Sequence, residues 1–75
     1  MIRGTDMEKI TVTTDFIKLQ QFLKLANAVS QGSDAKHFII DGLVKVNGEV
    51  CTMRGKKIYE GDIVEFEGVS YVSVK

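Results

Sequence analysis

The dipeptide Asn47-Gly48 constrains the fold of this chain more than any other feature of its sequence. It lies between two short runs with alternating apolar residues, at positions 43–46 and 49–52. A two-residue turn of type I′ needs a positive φ at both central positions, and Asn followed by Gly tolerates this best. The sequence therefore predicts a β-hairpin, with Val44 and Val46 facing a core.

Two helices are predicted before this hairpin. Thr14 or Asp15 can cap a first helix over residues 16–29, because short polar side chains accept hydrogen bonds from free N–H groups at a helix start. A helical spacing of i, i+3, i+4 and i+7 predicts one buried stripe. Its members are Leu19, Phe22, Leu23 and Ala26.

The second helix is predicted over residues 34–41, after a break at Gln31-Gly32. Ser33 is a suitable N-cap, and Asp34 suits the positive end of the helix dipole. Gly42 is predicted to end the helix in the left-handed conformation. The apolar face would consist of Ala35, Phe38 and Ile39.

Three further strands complete the predicted fold. Residues 8–13 alternate as a first strand, and Gly61-Asp62 marks a turn before a strand at 63–66. A last strand is predicted at 71–74, where Val72 and Val74 share a face. The resulting class is α+β, with two short helices packed on a small, mainly antiparallel sheet.

Length and composition limit the possible functions. With 75 residues the chain is predicted to form one domain at 8–75 after a flexible tail at 1–7, with Met7 as an alternative start. No apolar run is long enough to span a membrane, and a single cysteine, Cys51, excludes an internal disulfide, so we expect a cytoplasmic protein. A monomer is the default expectation for its oligomeric state. His37 and Asp41 lie one helical turn apart, but no nucleophile accompanies them, so we expect neither catalysis nor a metal or other cofactor.

Positive charge is concentrated near the hairpin although the whole chain is neutral. Residues 36–57 carry five cations against two anions, a net +3, whereas residues 58–75 carry a net −3. Residues 53–57, which we call the basic loop, contain Arg54, Lys56 and Lys57. The hairpin is predicted to bring Lys36, Lys45 and the basic loop together as one basic helix-hairpin surface. Such a local cluster can bind phosphate groups without a high overall isoelectric point.

Four motifs occur in order between residues 18 and 66: Leu-Xaa-Xaa-Phe-Leu, Ser-Xaa-Ala-Lys, Asp-Gly-Xaa-Val-Lys-Val-Asn-Gly and Gly-Asp-Ile-Val. This arrangement resembles the RNA-binding domain named for ribosomal protein S4, whose helix-plus-hairpin core is the αL motif. It is similar to the small stand-alone bacterial members of the YaaA or YbcJ type. The resemblance implies non-catalytic binding of structured RNA, often ribosomal RNA.

The resemblance also implies which side chains would face RNA and which would form the structural turns. Many members of the family carry a cation just before the second helix and another just after it, where this chain has Gly32 and Leu43. In the first helix, Gln20 replaces a common Asp. The missing cations predict weaker binding, or binding that needs a neighbouring ribosomal protein. The implied RNA-binding residues are Lys18, Lys36, His37, Lys45, Arg54, Lys56 and Lys57, and the turn residues are Gly42, Asn47 and Gly48.

Two other interpretations concern the aromatic residues and the sheet edge. Most aromatic residues have core spacing, so no platform for stacking unpaired bases is expected; Tyr59, beside the basic loop, is the one possible exception. A protein-interaction module is the alternative function, for example a ribosome- or replication-associated adaptor. It would use the acidic strand at 63–67 as an exposed sheet edge.

Overall fold

The computed structural model describes residues 7–29 and 32–75, apart from the side chain of Ser33. The predicted tail at 1–7 therefore lies outside the described residues except for Met7, which begins the first strand. The elements in chain order are β1 Met7–Thr11, β2 Phe16–Lys18, α1 Leu19–Leu25, α2 Gly32–Ile40, β3 Val44–Val46, β4 Glu49–Val50, β5 Lys57–Tyr59, β6 Ile63–Phe66 and β7 Val69–Val74.

Five strands form one sheet in the order β1-β7-β6-β3-β4, and β2 and β5 form a separate two-stranded ribbon. All the pairs in the sheet are antiparallel except β1 with β7, so the predicted α+β class with a mainly antiparallel sheet is confirmed. The prediction of 63–67 as an edge strand is wrong. β6 lies between β3 and β7, which use its backbone hydrogen bonds on both sides.

The hairpin prediction is confirmed in detail. Asn47 and Gly48 have φ values of 52° and 87°, the positive values that a type I′ turn requires. Val44 and Val46 are buried on either side of the exposed Lys45. The returning strand β4 is only two residues long, but its pairing with β3 extends one residue further, because the N–H of Cys51 donates to the carbonyl oxygen of Val44, the residue opposite it, at 2.9 Å.

The core lies between the two helices and one face of the sheet. The predicted helical stripe is buried, and Phe38 of α2 packs against Phe66 of β6 with ring centroids 5.0 Å apart. In β7 the buried positions are Tyr71 and Ser73, whereas Val72 and Val74 are half-buried on the other face. No helix in residues 7–29 or 32–75 is long and apolar enough to span a membrane.

The first helix is shorter than predicted at both ends. Residues 16–18 form β2 instead of a helical turn, so Thr14 and Asp15 do not cap the helix. The Thr14 hydroxyl donates to the carbonyl of Phe16, and Asp15 pairs with Lys75 at 3.3 Å. At the other end Asn27 has a φ of 60° and ends the helix, because Asn tolerates the left-handed conformation.

The second helix ends as predicted. Gly42 has a φ of +79°, and its N–H donates to the carbonyl of Ile39 at 3.0 Å. The next N–H, from Leu43, donates to the carbonyl of Phe38 at 3.0 Å, which completes a Schellman motif. The start of this helix differs from the prediction, because the helix begins at Gly32 and Ser33 therefore lies inside it instead of preceding it as an N-cap. Gln31 of the predicted break lies outside the described residues.

Candidate nucleic-acid interface

The basic loop is docked on the first turn of α1. The N–H of Leu19 donates to the carbonyl of Lys56 at 2.8 Å, and the N–H of Gln20 donates to the carbonyl of Arg54 at 3.1 Å. The first N–H groups of any helix lack partners inside the helix, and here the loop supplies them. Lys18, the residue before the helix, makes no side-chain capping bond. The cations of the loop are thereby held beside Lys18.

The loop itself is a tight turn, because the N–H of Lys56 donates to the carbonyl of Met53 at 3.1 Å. Gly55 lies at its tip without a left-handed φ, and a Cβ added there would meet no atom within 4 Å. The turn therefore does not depend on the absence of a Cβ at Gly55. A side chain at this position would extend into open space beside the cations.

The ribbon of β2 and β5 brings two predicted cations opposite each other. Lys18 pairs with Lys57 in the antiparallel register, and both side chains are exposed. Within the described residues neither of them forms an ion pair shorter than 4 Å. Like charges directly opposite in a ladder are unfavourable, so a bound anion would relieve this repulsion.

Sequence reasoning missed this ribbon and the exposed aromatic pair on it. Phe16 lies directly opposite Tyr59, with ring centroids 5.9 Å apart. The exposed fractions are 37% for Phe16 and 49% for Tyr59, so the expectation that the aromatic residues outside Tyr59 belong to the core is wrong for Phe16. The alternation of apolar and polar residues in Phe-Ile-Lys and Lys-Ile-Tyr was the available signal, but each run has only three residues.

Lys45 has different surroundings from the basic loop. It lies on β3 opposite Glu65 of β6, and it shares a shallow cleft of about 260 Å³ with Glu65 and Glu67. Two carboxylates close to one ammonium reduce the attraction of that site for phosphate. The hairpin therefore presents Lys45 on the outer face of the sheet in a locally acidic setting.

The two cationic candidates of α2 are separate again. Lys36 is half-buried and His37 is exposed. Among the described residues, no hydrogen bond or ion pair joins either side chain to the basic loop. By direct contacts, the structure groups four of the seven candidate residues around the start of α1. They are Lys18, Arg54, Lys56 and Lys57.

A hydrogen-bond network holds the end of the ribbon against the hairpin. The Nδ2 of Asn47 donates to Oδ1 of Asp62 at 3.2 Å, and Oδ1 of Asn47 accepts from the N–H of Ile63 at 2.9 Å. The other oxygen of Asp62 accepts from the N–H of Tyr59 at 2.8 Å. The motifs Val-Asn-Gly and Gly-Asp-Ile-Val are thus bonded to each other, which orients β5 relative to β3.

The described residues contain no cluster of three or more His, Cys, Asp or Glu side chains suited to hold a metal ion. Cys51 is a free, half-buried thiol whose sulfur lies 3.7 Å from the carbonyl oxygen of Met53. A thiol in such a contact fills space beside the hairpin. The chemistry that the site offers is therefore that of exposed cations and aromatic rings.

Comparisons with known proteins identify the family of the chain. Residues 10–74 match the protein family described as the S4 domain. A Bacillus subtilis protein named probable ribosome maturation protein RlbA is 48% identical over 59 residues, which cover 79% of this chain and 83% of that protein.

Two solved structures share the fold. The solution structure of YbcJ from E. coli, described as revealing an αL motif involved in RNA binding, superposes with a TM-score of 0.72 at 34% identity, covering 97% of this chain and 94% of YbcJ. Ribosomal protein S4e from Thermoplasma acidophilum matches with a TM-score of 0.61 at 23% identity. That match covers 80% of this chain and 32% of S4e, and it supports the fold alone.

Proposed function

This chain belongs to the S4 domain family, and we propose that it binds structured RNA through the cations gathered at the start of α1. The observation that carries the proposal is the docking of the basic loop on α1, which groups Lys18 with the three loop cations. The similarity to YbcJ, whose αL motif is described as involved in RNA binding, supports the same function. The proposal assigns no catalytic step to the chain.

The mode of binding that suits this surface is recognition of the RNA backbone. The major groove of an A-form helix is too deep and narrow for side chains to read base edges, so proteins contact phosphates and 2′-hydroxyls instead. Arg54 can hold a phosphate through two parallel hydrogen bonds, whereas the lysines act as point charges. Lys36, His37 and Lys45 stay candidate contacts at the periphery, and Lys45 would contribute least because Glu65 lies opposite it.

Ribosomal RNA is the proposed target class. The support is the 48% identity to a protein named as a probable ribosome maturation protein. A ribosomal target would place the chain in the cytoplasm, and a ribosomal protein beside the site could supply contacts that the positions of Gly32 and Leu43 lack.

The test is titration of a fluorescently labelled RNA hairpin at several salt concentrations. If four cations contact phosphates, the logarithm of affinity falls against the logarithm of salt with a slope of about −2.8 to −3.6, a loss of roughly 50- to 150-fold between 50 and 200 mM salt. Arg54→Gln/Lys56→Gln removes two contacts, so the slope should fall by about half. Circular dichroism should show an unchanged fold, because both side chains are exposed.

A matched control removes the same charge elsewhere. Lys9→Gln/Lys24→Gln also deletes two exposed cations, but these lie on β1 and in the last turn of α1. This variant should keep the slope of the native chain. Equal loss in both double variants would mean that net charge, and not the basic loop, governs binding. No binding at low salt would overturn the proposal.

The ribosomal part has its own test, which is co-sedimentation with purified bacterial ribosomal subunits. The native chain should sediment with one of the subunits, and a smaller fraction of Arg54→Gln/Lys56→Gln should do so at the same salt concentration. Binding to the RNA hairpin without sedimentation on either subunit would retain RNA binding and overturn the ribosomal target.

A further inference from the structure

The exposed face of the β2–β5 ribbon carries two aromatic rings and two ammonium groups, and we call these four residues the ribbon platform. Alternate residues of a strand point to opposite faces, so Phe16 and Lys18 share one face of β2, and Lys57 and Tyr59 share one face of β5. The register places Phe16 opposite Tyr59 and Lys18 opposite Lys57, so all four side chains point the same way. The opposite face holds Ile58, which is fully buried in the core.

The two aromatic rings of the platform, Phe16 and Tyr59, differ in how much of each ring is covered by neighbouring groups. The ammonium of Lys57 lies 4.9 Å from the centroid of the Phe16 ring, so one face of that ring is occupied by a cation. Tyr59 is the more exposed ring, with 49% of its surface open to solvent. Its backbone N–H is held by Asp62, which anchors the residue at the end of β5. Tyr59 is therefore an exposed aromatic ring on an anchored backbone, and it shares its face of the ribbon with two cations.

We propose that the ribbon platform stacks one unpaired RNA base on Tyr59 while Lys18 and Lys57 contact the phosphates on either side of that base. The inference rests on the proposed function and adds the RNA feature that is recognised, an unpaired nucleotide at the end of, or within, a helix. Aromatic side chains stack on bases of any sequence, and neighbouring cations follow the backbone. Successive side chains on one face of a strand are ~6.6 Å apart, so a nucleotide can reach an aromatic ring and a lysine together.

The arrangement also explains why the platform adjoins the basic loop. Lys57 belongs to both, and the carbonyl of Lys56 bonds to the residue that follows Lys18. A paired stem held at the loop would place its first unpaired nucleotide beside the ribbon. The basic loop then binds the base-paired part of the RNA, and the platform binds the first nucleotide that is not base-paired.

The test compares three labelled, blunt-ended RNA duplexes of equal sequence, which contain no loop nucleotides: one fully paired, one with a single bulged adenosine, and one with an abasic nucleotide at the bulge. The bulged adenosine should bind the native chain roughly 5- to 150-fold more tightly than the abasic RNA, the range for one stacked base. In Tyr59→Phe the preference should persist. In Tyr59→Leu, which keeps an apolar side chain but has no ring, it should vanish, while binding of the fully paired RNA and its salt dependence stay unchanged.

A spectroscopic readout separates stacking from general affinity. Replacing the bulged adenosine by 2-aminopurine should give fluorescence quenching on binding to the native chain and to Tyr59→Phe, and no quenching with Tyr59→Leu. Thermal unfolding of each variant reports whether the ribbon is intact.

The outcomes distinguish failure of the ribbon platform from failure of RNA binding as a whole. Equal native affinities for the adenosine and abasic bulges, with normal salt dependence, would overturn the platform and leave RNA binding at the basic loop standing. Equal weakening of all three RNAs by Tyr59→Leu together with a lower melting temperature would make the ring a structural residue and overturn the platform. Absence of binding to every RNA at low salt would overturn both proposals.

Discussion

Asn47 should be a sensitive position although it is exposed, because its side chain bridges two motifs and its backbone is in the left-handed conformation. In Asn47→Ala the two side-chain hydrogen bonds, at 3.2 Å to Asp62 and 2.9 Å to Ile63, are lost. Exposed bonds of this kind contribute about 0.5–1 kcal/mol each. Alanine at a φ of 52° adds about 1 kcal/mol of backbone strain. The expected loss is therefore about 2–3 kcal/mol.

That loss is large for a chain of 75 residues, whose total free energy of unfolding should be about 4–11 kcal/mol. It corresponds to a fall in melting temperature of about 10–20 °C. Urea denaturation followed by far-UV circular dichroism gives the free energy directly, and an unchanged m-value would confirm that the two-state unfolding is preserved.

Two companion variants separate the contributions. Asn47→Gly removes the hydrogen bonds but adopts positive φ freely, so it should lose about 1–2 kcal/mol, less than alanine does. Combining Asn47→Ala with Asp62→Ala should be less damaging than the sum of the two single changes, by about 0.5–1 kcal/mol, because both remove the same bond. A loss below about 0.5 kcal/mol in Asn47→Ala, or strict additivity in the double variant, would refute the bridging role.

Three further predictions use other parts of the structure. Gly55→Glu should weaken RNA binding about fivefold at low salt, because it adds an anion among the loop cations. Gly55→Ala should leave the RNA affinity unchanged and the fold equally or more stable, because a Cβ at this position meets no other atom. Equal loss of affinity in both variants would indicate a steric effect. Burial, helped by Glu8 and Glu67, raises the pKa of Tyr71 above its usual 10.0, so stability should be fully present below pH 10 and decline as the pH rises through the raised value. Denaturant midpoints between pH 8 and 11 measure this decline in stability, and Tyr71→Phe should reduce the change of the midpoint with pH. If the pH dependence of the midpoint is the same in Tyr71→Phe, groups other than Tyr71 cause it. Phe22→Ala opens a cavity beneath α1 at a fully buried position and should lower the free energy of unfolding, measured by urea denaturation, by about 3–5 kcal/mol. Phe22→Leu should lower it clearly less. Similar losses for both variants would show that stability at this site does not depend on the volume of the ring.

The parts of the fold that the sequence predicted are those controlled by nearby residues. The type I′ hairpin follows from Asn47-Gly48, and the end of α2 follows from Gly42, because few other residues adopt positive φ at low cost. The same reasoning was available for the end of α1, where Asn27 has a φ of 60°, but the apolar periodicity around it outweighed one polar residue.

The missed parts depend on pairing between distant residues. Phe16, Ile17 and Lys18 fit the first turn of a helix as well as a short strand, and pairing with β5, about 40 residues later, decides for the strand. The order of strands is equally non-local, so the acidic strand at 63–66 was expected at an edge although it lies in the middle of the sheet. Three-residue strands give too little periodicity to reveal such pairing.

The same distinction between local and non-local features applies to the candidate site. The sequence by itself determined the hairpin, the exposed Lys45, the cationic composition of the basic loop and the motifs of the S4 domain, because each depends on a few adjacent residues. Only the tertiary structure determines which of the cations lie close to each other. The free N–H groups of α1 take their partners from the loop carbonyls, and this places Lys18 beside the loop. The ribbon register then turns Phe16 and Tyr59 outward together, because Ile17 and Ile58 occupy the inner face.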